Sequence, residues 1–353
     1  MGGLYAPTRW LSFRGSYGTS YRAPALFEQF LAETTGFQPG SQDPCDTLSA
    51  ANTPPPVFQR CTTTDGLSPG FKNNSGITVI QRGGAETGLE AETSKNLTFG
   101  TVIQPSFGPE FGNLSLAVDF FRVEVNNGVS QLSHLTILQG CYQGTNPEFC
   151  QFVDRQPGPT GAVGQDLTVT TGYINVATDI AKGIDFVARY DRDIGPGKLD
   201  IGVQAVYMID RIFQGLDSAD PFHQDGLIGN PKWAGTAHLG YKTGPWYFRW
   251  GTEYIKGTSD NGAAEDTDDD GLVDFDPAQY DFSVPNYWLH TLSARYETER
   301  YSLTAGIRNL FDKDPPKISS LDPFVNTTSN VPLQGGFDPY GRTFFINAQA
   351  KIF

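Results

Sequence analysis

Apolar and polar residues alternate in short segments along most of the chain, a period of two that is typical of β-strands with a different environment on each face. In the first segment, Leu11, Phe13, Tyr17 and Tyr21 alternate with small or polar residues. The pattern predicts about ten strands, each near the ten residues that a tilted membrane strand needs. They lie at 9–21, 97–104, 114–120, 184–191, 199–207, 232–242, 246–254, 288–296, 301–308 and 343–353.

The connections between these segments alternate between long and short. The long ones are 22–91, 128–171, 212–230, 257–284 and 312–341, and the short ones are 105–112, 193–198, 243–245 and 298–300. Bacterial outer-membrane barrels have long extracellular loops and short periplasmic turns. The sequence therefore predicts an all-β fold, an antiparallel transmembrane β-barrel segment in the outer membrane of a Gram-negative cell. One rim should carry Cys45, Cys141 and Asp270, and the other rim should carry Pro196, Gly244 and Glu299.

A soluble β-sandwich or propeller is the alternative interpretation of the same alternation. Such folds rarely sort their loops so strictly by length, and they have no need of aromatic residues at the strand ends. Membrane barrels carry aromatic girdles at both interfaces. Aromatic residues near predicted strand ends are Trp10, Tyr21, Trp233, Tyr241, Trp246, Tyr254, Trp288 and Tyr296.

Composition and charge exclude several classes of protein. The net charge is −14, from 25 Lys and Arg against 39 Asp and Glu, whereas nucleic-acid binding needs clustered cations. No apolar run approaches the roughly 18 residues of a membrane helix. The sequence shows no Ser/His/Asp set, no phosphate loop and no carboxylate pair in an apolar pocket, so we do not expect an enzyme or a required cofactor.

Two pairs of cysteines lie in two of the long loops. Cys45 and Cys61 share the first loop, and Cys141 and Cys150 share the second. An even number of cysteines at short separations indicates disulfides and an oxidising compartment, although four unrelated buried thiols are the alternative. We predict the pairs Cys45–Cys61 and Cys141–Cys150, because each closes a loop of about ten to sixteen residues.

An acidic segment in the loop 257–284 resembles the start of a calcium loop. Its pattern is D-x-D-x-D-G-x-x-D, in which carboxylates at alternate positions converge on one hard cation and Gly271 permits the turn. Position twelve is Pro277 rather than the usual Glu. The sequence therefore predicts weak Ca²⁺ binding, and a merely solvated acidic loop is the alternative. The predicted ligands are Asp266, Asp268, Asp270, Asp274 and the carbonyl of Leu272.

Several motifs, taken in chain order, resemble the barrel of TonB-dependent receptors. They are RGSYGTSYRAP at 14–24, EAETSKNLTFG at 90–100, GIDF at 183–186, NPKW at 230–233, RNLFDK at 308–313, and Gly341-Arg342 before a final strand that ends in Phe353. The segment 84–92, GAETGLEAE, departs from the family's Asn-Pro-x-Leu-x-Pro-Glu but keeps Leu89 and Glu92.

The resemblance implies that residues 1–353 are the C-terminal part of a receptor barrel domain whose plug domain lies outside this chain. The implied function is ligand binding and energised uptake of a siderophore, a cofactor or a carbohydrate by the full-length parent. The alternative is a passive, porin-like or structural barrel. Implied partners are outer-membrane lipid, the parent's own plug, the TonB complex, the barrel assembly machinery and a small-molecule ligand. Because the start, MGGLYAPTRW, has no apolar signal core, we expect the export signal upstream.

The final strand departs from the family pattern in its alternation. The resemblance makes Phe353 an assembly signal, with apolar residues at every second position before it. Here those positions are Lys351, Gln349 and Asn347, whereas Ile346 belongs to the opposite, apolar set. A bulge or a register shift near 344–345 would reconcile the two patterns.

Overall fold

A computed structural model describes residues 1–51, 53–85, 88–108, 110–144, 147–156, 166–214, 221–261, 280–319 and 325–350, apart from the side chains of 176 and 177. The main sheet follows the order β1-β2-β5-β6-β8-β9-β11-β12-β15-β16-β19, and each neighbouring pair is antiparallel. The order is the chain order, which is the meander of an antiparallel barrel wall.

The strands of this path coincide with the period-two segments and add a short β1. Several run beyond the predicted ends, above all β8, which has 29 residues. The bounds are β1 Gly2–Tyr5, β2 Leu11–Arg22, β5 Glu92–Ile103, β6 Asn113–Gln131, β8 Asp166–Ile194, β9 Gly197–Gln214, β11 Trp233–Thr243, β12 Trp246–Ile255, β15 Tyr287–Glu297, β16 Tyr301–Arg308 and β19 Thr343–Ala350.

Two tight turns at one end of the sheet share the dipeptide Gly-Pro. Ile194 pairs with Gly197 across Gly195-Pro196, and Thr243 pairs with Trp246 across Gly244-Pro245. Gly195 has φ 58° and Gly244 has φ 51°, the left-handed region that a type II′ hairpin requires at its first central position. The Tyr241 hydroxyl donates to the Ile194 carbonyl at 3.0 Å, so these turns lie side by side at one rim, as predicted.

The long loops hold the remaining elements. The strands are β3 Thr34–Gln38, β4 Ile77–Arg82, β7 Val153–Gln156, β10 Phe222–His223, β13 Thr258–Ser259, β14 Ser283–Val284, β17 Thr327–Thr328 and β18 Val331–Pro332, and the helices are α1 Leu26–Phe30, α2 Pro55–Gln59 and α3 His134–Gln143. In the described part of the chain, no helix has the length and apolar character needed to cross a membrane.

We call the module formed by the described residues of 34–82 and 132–172 the cap. Its sheet has the order β3-β4-β8-β7, in which β4 pairs parallel to the first residues of β8. The largest buried apolar cluster of the described residues lies here and not between the barrel strands. Its members are Cys45, Leu48, Val57, Cys61, Leu67, Ile77, Ile137, Leu138, Cys141, Tyr142, Phe149, Leu167 and Val169.

A second, smaller cluster joins three other loops above the far part of the sheet. Its members are Ile228, Val284, Tyr287, Leu289, Ile318, Val325 and Phe337, with Ile255 packed against them. Both clusters lie at the end of the sheet opposite the tight turns, because their residues come from the long connections. The hydrophobic cores of this molecule are therefore in its loops.

The final strand has no bulge at the predicted position. β19 pairs with β16 in unbroken register from Thr343 opposite Arg308 to Ala350 opposite Tyr301. Phe344 and Ile346 consequently point to one face, and Phe345 and Asn347 to the other. Within the described residues, neither a bulge nor a register shift near 344–345 reconciles the two patterns, because the pairing with β16 is continuous there. Phe353 lies outside the described residues.

Candidate functional site

The outer face of the main sheet is apolar and exposed. Alternation sends Phe99, Val118, Leu239 and Phe248 to this face, where each keeps more than a third of its surface exposed. Soluble monomers rarely leave contiguous apolar patches of more than a few hundred Å² uncovered. The aromatic residues of this face are exposed near the strand ends, at Trp233, Trp246 and Trp288. This face is built to contact an apolar medium.

The inner face of the same strands carries charged and polar side chains and borders an open cavity of ≈ 930 Å³. Arg14 on β2 makes two hydrogen bonds to Asp119 on β6, Nε to Oδ1 at 2.7 Å and Nη2 to Oδ2 at 2.6 Å. Asp185 on β8 and Glu253 on β12 line the same cavity, so it is bordered by strands that are far apart in the sheet. The sheet is therefore curved around a polar interior, as a barrel wall is.

A second polar group on the inner face is centred on Asp200. The Tyr247 hydroxyl donates to Asp200 Oδ2 at 3.1 Å, and His238 Nε2 lies 3.1 Å from the same oxygen. The three residues come from β9, β11 and β12. Inner-face polar groups thus satisfy one another across strands, which lets a polar surface face the interior.

An ion-pair network at the rim anchors helix α1. Arg22, the last residue of β2, donates to both carboxylate oxygens of Glu92 at 2.6 Å and to those of Glu28 at 2.9 and 3.0 Å. Glu28 also accepts from the Ala25 backbone N–H at 2.7 Å, which closes the first turn of α1. The hydrogen bonds from Arg22 lower the pKa of Glu28 below its ordinary value. The network presents the exposed aromatic side chains Phe27 and Phe30 at the rim.

Two disulfides stabilise the cap. Cys45 is bonded to Cys61, and Cys141 is bonded to Cys150. These are the pairs expected from the sequence, and three of the four residues are buried in the main apolar cluster of the cap. Each bond closes a loop within one connection, over 16 and 9 residues respectively. They constrain the unfolded loops and so favour the folded cap.

A buried charge cluster holds the cap together. Arg155 donates from Nη1 and Nη2 to the carboxylate of Asp43 at 2.8 and 2.6 Å, and its Nε lies 3.2 Å from Asp65. The side chain of Arg155 is 4% exposed and that of Asp43 is fully buried. The Tyr142 hydroxyl donates to Asp65 at 2.7 Å, and burial raises the pKa of this phenol. A guanidinium with several acceptors is the arrangement in which a buried charge is tolerated.

Sequence reasoning missed this cluster and the cap around it. Arg155 lies in a segment with no clear period, and its partner Asp43 is 112 residues earlier. Nothing local marks the pair. The dense apolar content near Cys141 indicates a buried loop core, although it has no period of two.

Two groups of described residues have the donor types of a metal site, but in one of them, with Asp65, the thiols of Cys45 and Cys61 are joined in a disulfide. Asp210, His223 and Asp225 bring three candidate ligand atoms within 4.8 Å of one another. Asp210 already pairs with Lys182 at 3.1 Å, and Asp225 pairs with Lys232 at 3.0 Å. These ammonium groups balance the carboxylates, so we assign no metal here. The predicted calcium ligands Asp266, Asp268, Asp270, Leu272 and Asp274 lie outside the described residues.

Comparison with solved structures gives relatives of the same architecture. The ferric enterobactin receptor PfeA from Pseudomonas aeruginosa in complex with enterobactin has 16% identity and a TM-score of 0.58, with 99% of this chain and 40% of that chain covered. The siderophore receptor PirA from Acinetobacter baumannii has 14% identity and a TM-score of 0.58, with 98% and 40% covered. This chain thus spans about two fifths of the length of these relatives. No curated protein sequence matches the chain.

A family model described as the TonB-dependent receptor-like β-barrel matches residues 2–310, which includes every described strand of the main sheet before β19. Relatives of this family are receptors and transporters, not enzymes. By this match, and by a fold that agrees with it, the chain belongs to the TonB-dependent receptor β-barrel family.

Proposed function

We propose that residues 1–353 are the C-terminal part of the barrel domain of a receptor in the outer membrane of a Gram-negative bacterium. The parent protein binds a small-molecule ligand, a siderophore, a cofactor or a carbohydrate, and takes it up with energy supplied through TonB. The observation that carries the proposal is the pairing of an exposed apolar outer face with a polar inner face around a cavity of ≈ 930 Å³.

The outer face supports contact with outer-membrane lipid. On β5 and β6 this face changes from apolar to charged towards the long loops, where Lys95, Arg122 and Glu124 follow the apolar Leu97 and Val118. Charge is costly in hydrocarbon and cheap at the interface. The boundary of the hydrocarbon should therefore lie between the apolar side chains and the charged ones.

The inner face supports occupation by a plug. Asp119, Asp185 and Glu253 place carboxylates on the inner face, which in a passive pore would contact only water. In the parent these groups contact the plug, and the tight-turn rim faces the periplasm, where TonB acts. Phe353 is the residue that the barrel assembly machinery engages in this proposal.

Calcium in the loop 257–284 is part of the same proposal. The described base of this loop is closed by pairing of Thr258 with Val284 and Ser259 with Ser283, and the carboxylate of Asp260 accepts from the Ile228 N–H at 2.7 Å. Because the base of the loop is already closed, calcium binding has to order a shorter segment of chain, which lowers its entropic cost.

Uptake assays in cells test the proposal. Radiolabelled ligand accumulation should require both the parent gene and TonB, and a protonophore should abolish it. Fractionation should place the protein in the outer membrane. Accumulation that continues at the same rate without TonB would instead assign a passive barrel. Recovery of the protein in the soluble fraction would contradict the membrane assignment itself.

A further inference from the structure

A groove lies at the edge of the cap, where β3 and β4 face the end of β6 and the start of α3. Its volume is ≈ 540 Å³, within the range of roughly 300–1,000 Å³ that small-molecule sites occupy. The residues that line it come from the two long connections of the cap and from the flanking strands β6 and β8. We call it the amide groove.

The lining of the amide groove is polar but carries no full charge. Among the described residues that line it there is no Lys, Arg, Asp or Glu. The polar groups are carboxamides, hydroxyls and one imidazole, which include Gln81, Gln131, Ser133, His134 and Thr171. Burial lowers the pKa of His134, which keeps its imidazole neutral at pH 7. In a chain of net charge −14, an uncharged polar concavity of this size is a distinct surface.

Hydrogen bonds within the groove orient its polar groups. Gln81 Nε2 donates to Gln131 Oε1 at 2.7 Å, which sets the two carboxamides head to tail. Gln131 Nε2 is then a buried donor with no acceptor in the part of the chain that the structure describes. His134 Nε2 donates to Gln42 Oε1 at 2.9 Å, so Nδ1 of the neutral ring is an acceptor.

An aromatic pair flanks these polar groups. Tyr173 is the register partner of Gln131 across β6 and β8, and its ring meets the ring of Phe27 edge to face with centroids 5.9 Å apart. Phe27 is 60% exposed. The two rings lie next to the groove but are not among the residues that line it.

We propose that the amide groove binds a neutral, hydroxyl-rich ligand of the saccharide class. Each sugar hydroxyl donates and accepts, which matches carboxamides, hydroxyls and an imidazole that do the same. An anionic chelate would instead call for guanidinium or ammonium groups, which form the strong charge-assisted contacts to carboxylate or phosphate. This inference rests on the proposed function, because it names the ligand class that such a receptor takes up.

Calorimetry on the complete folded chain in detergent tests the inference with stated probes. The neutral probes are maltotriose, cellotriose and triacetylchitotriose, and the anionic probes are ferric citrate and ferric enterobactin. At least one neutral probe should bind and the anionic probes should not. Gln81→Leu and Gln131→Leu keep side-chain volume but remove the hydrogen bonds, and each should weaken saccharide binding by about tenfold or more.

A matched control variant is Gln104→Leu. Gln104 lies at the opposite end of the sheet, where its Nε2 is 3.3 Å from the Ser115 hydroxyl. The Gln104→Leu variant should therefore bind saccharide as the unmodified chain does. The heat-resistant migration of the folded barrel in gels checks that all variants fold. No saccharide binding by the folded chain, or equal binding by both groove variants, overturns the inference. Since this readout needs no transport, saccharide binding without TonB-dependent accumulation in cells would refute the proposed function alone.

Discussion

At the scale of single residues, the cap shows how a loop can be given a core. Arg155 and Asp43 are both buried, and the charge of each is tolerated because the other neutralises it. Such a pair is weak evidence of net stability, since well-packed apolar residues often do as well. Its value is specificity, because a guanidinium with three acceptors fits one arrangement of the two loops.

Arg155→Met should therefore destabilise the cap strongly. The substitution leaves the Asp43 carboxylate buried without a cation, with hydrogen bonds only from the Cys45 N–H and Asn73 Nδ2. Breaking such a buried ion pair costs roughly 3–5 kcal/mol. Hydrogen exchange of the backbone amides of β4 and β7 measures the free energy of opening. Arg295→Met is the matched control: Arg295 pairs with Glu297 at 2.9 Å but both side chains are more than two fifths exposed, and an exposed pair contributes about 0–1 kcal/mol.

The double variant Arg155→Met with Asp43→Leu separates the two contributions. Removal of both charges should recover part of the loss, because the carboxylate of Asp43 no longer lies buried without a cation, whereas Asp65 still lacks Arg155. A double variant as unstable as Arg155→Met alone would show that packing, rather than charge, explains the loss.

Glu28 gives the rim a dependence on pH. Its pKa is lowered in the folded protein by Arg22, so its contribution is fully present above the pKa of the unfolded chain, about 4.3, and is lost as pH falls through the lower folded value. Helix α1 should therefore stay docked at pH 7 and detach in acid. Fluorine NMR of a fluorophenylalanine at Phe27 reports this, because contact with the Tyr173 ring shifts its resonance.

Glu28→Gln should reproduce the acid spectrum at pH 7, at least in part, because an amide cannot pair with the guanidinium. Glu33→Gln is the control, since Glu33 is exposed beyond the helix. An unchanged fluorine shift between pH 7 and pH 3 in the unmodified chain would contradict this account of the rim.

At the scale of elements, the barrel strands could be predicted and the cap could not. A strand between two different media shows its period of two in the sequence, which is why β2, β5, β11 and β12 were located from residues alone. The cap strands β3 and β4 are short and pack in an irregular core, where apolar residues follow no period. The parallel pairing of β4 with β8 joins residues 90 positions apart, Ile77 to Leu167, and no local pattern encodes it.

The candidate site was predicted only in part for the same reason. Sequence reasoning paired the cysteines, because the pairs follow from loop lengths and spacing. The amide groove requires Gln81, Gln131 and Thr171 to meet, and these residues belong to three different strands, β4, β6 and β8. Their convergence depends on the cap fold, so it could not be anticipated.

Close strand contacts make one glycine of the wall sensitive to substitution. A Cβ at Gly100 would overlap the carboxylate of Asp119, the partner of Arg14. Gly100→Val should break this ion pair and destabilise the barrel by roughly 1–3 kcal/mol, the usual cost of overpacking. Gly18 lies on the same face of β2 as Arg14, and a Cβ added there would meet open space. Gly18→Val should therefore be neutral or mildly stabilising. The thermal midpoint of barrel unfolding in detergent measures both.

The acidic segment of the loop 257–284 remains a prediction at this scale. Calcium should bind with a dissociation constant of about 10⁻⁴–10⁻³ M, the range of extracellular modules, because the twelfth-position Glu is missing. Calorimetry should detect this heat in the unmodified chain and lose it in Asp268→Ala and Asp270→Ala. Equal heat in all three proteins, or none at millimolar calcium, would leave a solvated acidic loop.

At the scale of the whole molecule, the main sheet has two edges. β1 and β19 end the strand path, and within the described residues each has a single neighbour in it. An unpaired edge cannot lie in hydrocarbon, because its N–H and C=O groups find no partner there. The chain also spans about two fifths of the length of the solved receptors that it matches.

The chain expressed by itself should therefore associate through these edges. Size-exclusion chromatography with light scattering in detergent should show dimers or larger species. Pro substitutions at Leu4 and Ile346, in the two edge strands, should shift the chain towards monomer, whereas Pro at Phe37, in an edge strand of the cap, should not. A stable monomer of the unmodified chain would contradict the prediction.

The length of β8 has a consequence for the order of folding. Its first six paired residues complete the cap sheet through β4, which the chain contains about 90 residues earlier. Contacts between such distant segments form slowly, since a long loop must close before any gain is made. The Cys45–Cys61 bond spans 16 residues and needs no part of β8, so it can form first. Oxidation of that pair then reduces the number of conformations open to the first loop before β4 pairs with β8. A cell that delays this oxidation would accumulate protein whose barrel strands are paired while the cap is still unfolded.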